Sequence, residues 1–237
     1  MIPYKDENPT HHIPYITYGI IVVNLLAWVV LQGMGNQPAL SQSVCSYGAI
    51  PGALLGSAHF VESSALICPQ QQQSWLNAIT SMFMHGGWMH LIGNMWFLWI
   101  FADNIEDALR PLKFIIFYLL GGLAAVAAQM ASDPQSIVPM VGASGAIGGI
   151  MGAYARLFPR VQVHIAIVLG FFIMRRTIPA LWMLGLWLGM QAVSGYIAIQ
   201  SGQQGGVAFW AHIGGFVTGF VLIKLFQGSP TSSPRNI

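Results

Sequence analysis

Four polar residues in a strongly apolar chain have the types and spacing for nucleophilic chemistry at a carbonyl: His90, Asn94, Ser144 and His212. A serine hydroxyl is a poor nucleophile until a base takes its proton, and a neutral imidazole is the usual base. Ser144 stands in Gly142-Ala143-Ser144-Gly145-Ala146, with Gly148, Gly149 and Gly152 following. At a helix start, free backbone N–H groups and the positive dipole end suit an oxyanion. His90 and Asn94 are four apart, so they share a helix face, and both can donate to a developing negative oxygen. Ala211, Gly215 and Gly219 supply a small face that would let the His212 stretch approach the glycines around Ser144.

The elements that must hold these residues follow from composition. Of 237 residues, 55% are hydrophobic and 7% charged, against roughly 25% charged in soluble domains. Nine Lys and Arg with seven Asp and Glu cannot give a chain of this length a solvated surface. The nine basic residues are scattered along the chain and form no stripe for nucleic acid. The composition is that of an integral membrane protein. Its apolar runs are long and continuous, which excludes the alternating strands of a membrane barrel.

Six apolar stretches, 13–31, 88–102, 112–130, 145–158, 178–199 and 207–226, predict an all-α bundle of six transmembrane helices. Residues 161–174, bounded by Arg160, Arg175 and Arg176, are too short to span and read as interfacial or re-entrant. With six spans, all nine basic residues fall on one face, while the loops 33–87, 131–143 and 200–206 hold none. The positive-inside rule then puts both termini in the cytoplasm. The expected organisation is a cytoplasmic tail 1–12, a membrane domain 13–226 with a long outer loop 33–87, and a disordered tail 227–237. Cys45 and Cys68 both fall in that loop, either bridged in an oxidising compartment or as two unpaired thiols. The Gln70 to Gln73 run reads as solvated surface.

Helix rise gives the depth of each polar group. Ser144 is 12 residues before Arg156, and His212 is 12 before Lys224, about 18 Å in each case. His90 is 13 before Asp103, about 20 Å, with Asn94 one turn lower. All four lie roughly 10 Å below the outer boundary of a core about 30 Å thick. Each residue alone has a plainer role, as packing or as a helix tie, but a shared depth on three helices points to a site. Asp103, Glu106 and Asp107 sit about 14 Å or more below Asn94, and Asp133 falls in an outer loop. The expectation is therefore a Ser–His dyad without a third member. His85 and His90 are five apart with no carboxylate beside them, which argues against a metal pair.

Four segments together resemble the rhomboid family of intramembrane serine proteases, over Ser81 to Phe220. They are Met84-His85-Gly86-Gly87-Trp88-Met89-His90-Leu91-Ile92-Gly93-Asn94, Phe101-Ala102-Asp103-Asn104-Ile105-Glu106-Asp107, Gly142-Ala143-Ser144-Gly145 and Ala211-His212-Ile213-Gly214-Gly215-Phe216. The resemblance implies a six-helix core with Ser144 as nucleophile, His212 as base, and His90, Asn94 and the Ser144 N–H as oxyanion donors. It implies that His85 supports the outer loop and that Gly142 belongs to the serine motif. Substrates by resemblance are single-pass membrane proteins whose helices unwind near the outer surface, and no cofactor is implied. The expected location is a bacterial inner membrane with the site opening outward. A substrate helix is expected to enter between spans two and five, with water reaching Ser144 through a cap at Gly202 to Gly206.

The chain departs from the family at two points. Gly148 stands where several members carry an aromatic that packs on the base histidine, so Trp210 or Phe209 is expected to hold His212 instead. Arg110 stands where glycine often follows the Glu-Asp pair. The rival readings are a silent rhomboid-like protein that binds membrane helices, and a transporter using a histidine relay. The transporter lacks a paired acid at mid-membrane and an inverted repeat. The sequence does not specify an oligomeric state.

Overall fold

The computed structural model describes residues 1–57, 68, 73–170, 172–201 and 207–227. The expected Gly202–Gly206 cap, the Gln70–Gln72 part of the Gln run and the tail from residue 228 lie outside the described residues. The apolar stretches fold as α1 (Tyr15–Val30), α5 (Trp88–Leu109), α6 (Pro111–Ser132), α7 (Ser144–Leu157), α8 (Ala180–Gln200) and α9 (Phe209–Phe226). Between α1 and α5 lie the short helices α2 (Ala39–Tyr47), α3 (Pro51–Leu55) and α4 (Asn77–Thr80). Among the described residues α6, α8 and α9 are long and apolar enough to cross a bilayer, and α1 is a shorter apolar helix. Their outward faces are apolar: Val30, Leu112, Trp182, Val193 and Leu225 are all exposed. A surface of that kind is stable only in a non-aqueous surrounding.

α7 sits at the centre, and its residues 145–155 are all buried. Phe101 and Phe114 from α5 and α6 are fully buried against Ile150 and Tyr154 of α7. The α7–α9 contact is a glycine seam of the predicted kind. A methyl on Gly215 would land on the Gly145 carbonyl, and one on Gly219 on the Gly149 carbonyl. Two backbones this close exclude any side chain, so dispersion and small-residue packing hold the pair.

Three strands correct the all-α expectation. β2 (Gln162–Leu169) and β3 (Phe172–Pro179) form an antiparallel hairpin, and β1 (Ile2–Asp6) pairs antiparallel with β2. Residues 161–174, expected as an interfacial or re-entrant segment, fall on these two paired strands and their turn, and residues 2–6 of the expected tail form an edge strand. The physical reason is period two: Val163 and Ile165 are buried, while Gln162, His164 and Ala166 between them are half-buried. Gly170, at φ +60°, makes the tight turn.

The acids that end α5 anchor this N-terminal segment. Glu106 is buried, and its carboxylate accepts from Ile16 N (2.9 Å), Thr17 N (2.7 Å) and Thr17 Oγ1 (2.8 Å), capping α1. Asp107 Oδ1 meets His12 Nδ1 at 2.6 Å, and Tyr154 donates to Asp6. Burial, partly offset by that hydrogen bond, holds the Asp6 carboxyl above the usual carboxylate range. Arg110 joins α5 to α6 at φ +69°, backbone that favours glycine, and its guanidinium lies 2.7 Å from His12 Nε2.

The loop before α5 is stapled rather than loose. Cys45 and Cys68 form a disulfide, with Cα atoms 5.2 Å apart. Gln32, just after α1, grips the backbone of His85 at both groups, donating to its carbonyl (2.7 Å) and accepting from its N–H (2.8 Å).

Candidate active site

Ser144 is the first residue of α7, and Ile147 N, bonded to the Ala143 carbonyl, is where the helix ladder starts. The N–H groups before it have no partner within the helix and point toward the serine's end. His212, on the first turn of α9, presents Nε2 to Ser144 Oγ at 2.8 Å. The glycine seam sets that distance, since any Cβ at Gly215 or Gly219 would push α9 away.

His90 and Asn94 converge on the backbone just before the serine. A Cβ built on Gly142 would lie 2.6 Å from His90 Nε2 and 3.3 Å from Asn94 Nδ2. Gly142, at φ +120° and with its N–H bonded to the Ser81 carbonyl, therefore cannot be any other residue without displacing both side chains. His90 Nδ1 accepts from Gly86 N at 3.3 Å. In a neutral ring the other nitrogen, Nε2, then carries the proton and is a donor. Asn94 Nδ2 is buried with no hydrogen-bond partner, a cost that a ligand oxygen would relieve. Two free donors and the α7 N-terminus thus face one spot beside Ser144 Oγ, a geometry suited to an oxyanion.

His85 is fully buried, and its ring meets that of His90 edge to face at 5.2 Å between centroids. Burial and the neighbouring His90 push its pKa down to about 3, so the imidazole is neutral. It holds its place through its Gln32-gripped backbone and this ring contact. Among the described residues, no group of three His, Cys, Asp or Glu is arranged to hold a metal ion.

The neighbours that hold His212 are not the expected Trp210 or Phe209. His212 Nδ1 lies 2.8 Å from Gln191 Oε1, and Trp187 packs on the imidazole with ring centroids 5.8 Å apart. Both come from α8. Trp210 and Phe209 face Gly195 of α8 instead. An aromatic at position 148 has no room, because a Cβ there would already stand 2.9 Å from the His212 carbonyl oxygen. The missed signal was the polar residue itself: a glutamine in an apolar helix is marked by the same rule that marked Asn94. Asp133 lies on the rim of the cavity rather than beside Nδ1.

A cavity of about 1180 Å³ opens over the serine, walled by α5, α7, α8 and α9 through residues such as Phe97, Ile147, Trp187 and Trp210. It exceeds the roughly 300–1,000 Å³ of small-molecule pockets and has room for an extended peptide.

The family model of the Rhomboid domain matches residues 72–228, about two thirds of the sequence. The chain belongs to the rhomboid family. Rhomboid-related protein 2 of Mus musculus is 27% identical over 179 residues, covering 74% of this chain and 57% of the mouse protein. Rhomboid protease GluP of Bacillus subtilis is 26% identical over 140 residues, covering 59% of this chain and 24% of GluP. The mitochondrial Rhomboid protein 1 of Saccharomyces cerevisiae is 27% identical over 165 residues, covering 68% of this chain and 44% of the yeast protein. This rhomboid thus spans little more than half the length of the mouse relative and less of the other two. Family membership and the apolar helices together make it an integral membrane protein.

Proposed function

We propose that this rhomboid is an intramembrane serine endopeptidase acting on single-pass membrane proteins through Ser144 and His212. The observation that carries the reading is the 2.8 Å contact between His212 Nε2 and Ser144 Oγ, with the His90 and Asn94 side-chain nitrogens converging on Gly142 beside it. His212 Nε2 takes the hydroxyl proton as Oγ bonds to the scissile carbonyl carbon. The resulting oxyanion receives hydrogen bonds from His90 Nε2–H, Asn94 Nδ2–H and the Ser144 N–H. The imidazolium then gives its proton to the leaving amine, and the acyl–serine ester remains. Water, deprotonated by the same nitrogen, releases the acid and restores the hydroxyl. A substrate must unwind first, because a helical peptide bond is shielded by its own side chains and hydrogen bonds.

In this reading α1, α5, α6, α7, α8 and α9 are the six spans of the membrane domain 13–226. The basic residues and both termini face the cytoplasm of a bacterial-type cell membrane, and the serine opens to the opposite side. The substrate enters between α5 and α8, two of the helices that wall the cavity.

The test is cleavage of a model single-pass substrate in liposomes by wild type, Ser144→Ala and His212→Ala. The expected result is cleavage by wild type and none by either folded variant. Cleavage that survives Ser144→Ala overturns the assignment. A wild type inert across a substrate panel, with membrane helices still bound, points to a silent helix-binding relative.

A further inference from the structure

Among the described residues α8 is the least buried of the three long apolar helices, with 17% of its apolar window buried against 44% for α6. Yet it is the helix that supports His212 on two sides. Trp187 packs on the imidazole with the two planes tilted by 34°, and Gln191, one turn later on the same face, reaches Nδ1 at 2.8 Å. Nothing about helix packing demands a glutamine there. A primary amide in a bilayer helix is costly unless paired, and its oxygen is spent on the one nitrogen of His212 that Ser144 does not use.

The chemical value of that contact lies in the tautomer. A neutral imidazole has one N–H and one lone pair. With Nδ1–H donated to the Gln191 oxygen, the lone pair is on Nε2 and faces the Ser144 hydroxyl. The opposite tautomer would put a proton between Nε2 and Oγ and leave the serine with no base. When the ring takes the serine proton, the same hydrogen bond becomes charge-assisted and strengthens. An amide cannot accept that proton, so it orients the ring without competing for it. Building on the protease reading, we infer that Gln191 is a positioning residue that selects the reactive tautomer of His212 and steadies the imidazolium. Because Gln191 rides on α8, a wall of the cavity, the dyad is competent only while α8 is seated against α9.

The test compares Gln191→Leu, which keeps the bulk and removes the acceptor, with Gln191→Glu, which keeps an acceptor oxygen at the same reach. Two rates are read on protein whose melting shows it folded: turnover of the model substrate, and labelling of Ser144 by a fluorophosphonate, which needs no substrate helix. The expected result for Gln191→Leu is a loss of about 10- to 100-fold in kcat and in labelling rate, with KM within about twofold. Gln191→Glu recovers most of both. Packing alone predicts the reverse order, since a carboxylate is worse than leucine in a membrane helix. Wild-type labelling by Gln191→Leu overturns the inference, as does a folded Gln191→Glu slower than Gln191→Leu. The leucine arm decides by itself if the glutamate variant does not fold. A wild type that shows no Ser144-dependent labelling refutes the protease reading, and this inference with it.

Discussion

A methyl group added at Gly219 should disable the dyad from about two helical turns away. Gly219 lies on α9, seven residues after His212, about 10 Å along the axis. A Cβ there would stand 2.6 Å from Gly149 Cα, where ordinary contact begins at 3.4 Å, and would overlap the Gly149 carbonyl more severely. The obstacle is helix backbone, so α9 must retreat by about 0.8 Å or more. If α9 moves as a unit, the Ser144–His212 hydrogen bond, now 2.8 Å, lengthens to about 3.6 Å, beyond useful geometry. Overpacking of this kind costs about 1–3 kcal/mol of stability, and a misplacement near 1 Å costs about 10²-fold in rate. The assay pairs kcat on the model substrate with detergent melting of Gly219→Ala. The rate should fall far more than the folded fraction. Gly185→Ala on α8 is the control, because nothing lies within 4 Å of its Cβ. Wild-type turnover and melting in Gly219→Ala would falsify the view that backbone contact along the seam sets the dyad distance.

Three further outcomes are expected. Asn94→Ala should lower kcat about 10²- to 10³-fold with melting barely changed, because the lost Nδ2 donor has no partner to forfeit; a marked fall in melting temperature would assign Asn94 to structure. Glu106→Ala removes three accepted hydrogen bonds from the start of α1 and should cost about 3 kcal/mol in equilibrium unfolding, while the remaining folded protein keeps its kcat. Cys45→Ser opens a bridge between cysteines 23 apart and should cost about 3 kcal/mol, and dithiothreitol should destabilise wild type by a like amount but not the variant.

Much of the site was legible because a bilayer makes polar residues conspicuous. Ser144, His212, His90 and Asn94 stood out by type, and helix rise alone brought them to one depth before any contact was known. The glycine seam was legible too, since small residues on two stretches must face something close. Gln191 is an amide in an apolar helix like Asn94, but its contact with His212 depends on how α8 is turned, which spacing does not give. Its partner could not be read from spacing: Trp187 and Trp210 are both aromatics near a histidine in register, and only the rotation of α8 decides between them. The β2–β3 hairpin is hidden for another reason. Residues 161–174 are 14 mostly apolar residues whose length alone argues only that they do not span, whereas the alternation of Val163, His164 and Ile165 carries the strand period. The Cys45–Cys68 bridge rests on a Cα separation that no sequence displays.

The docking of β1 has a consequence for the order in which the molecule can be made. Ile2 pairs with Ala166 and Asp6 with Val163, and Glu106 caps a helix that starts at Tyr15. On the ribosome, α1 emerges long before its cap exists, and β1 waits longer still for its partner strand. Contacts this distant in sequence are the slow ones to form, so the sheet closes only after α7 and the hairpin have been synthesised. Until then the N-terminal segment is an unpaired edge, open to mispairing or proteolysis. The moment that residue 166 clears the translation machinery therefore divides a chain merely threaded through the bilayer from one that can close its sheet.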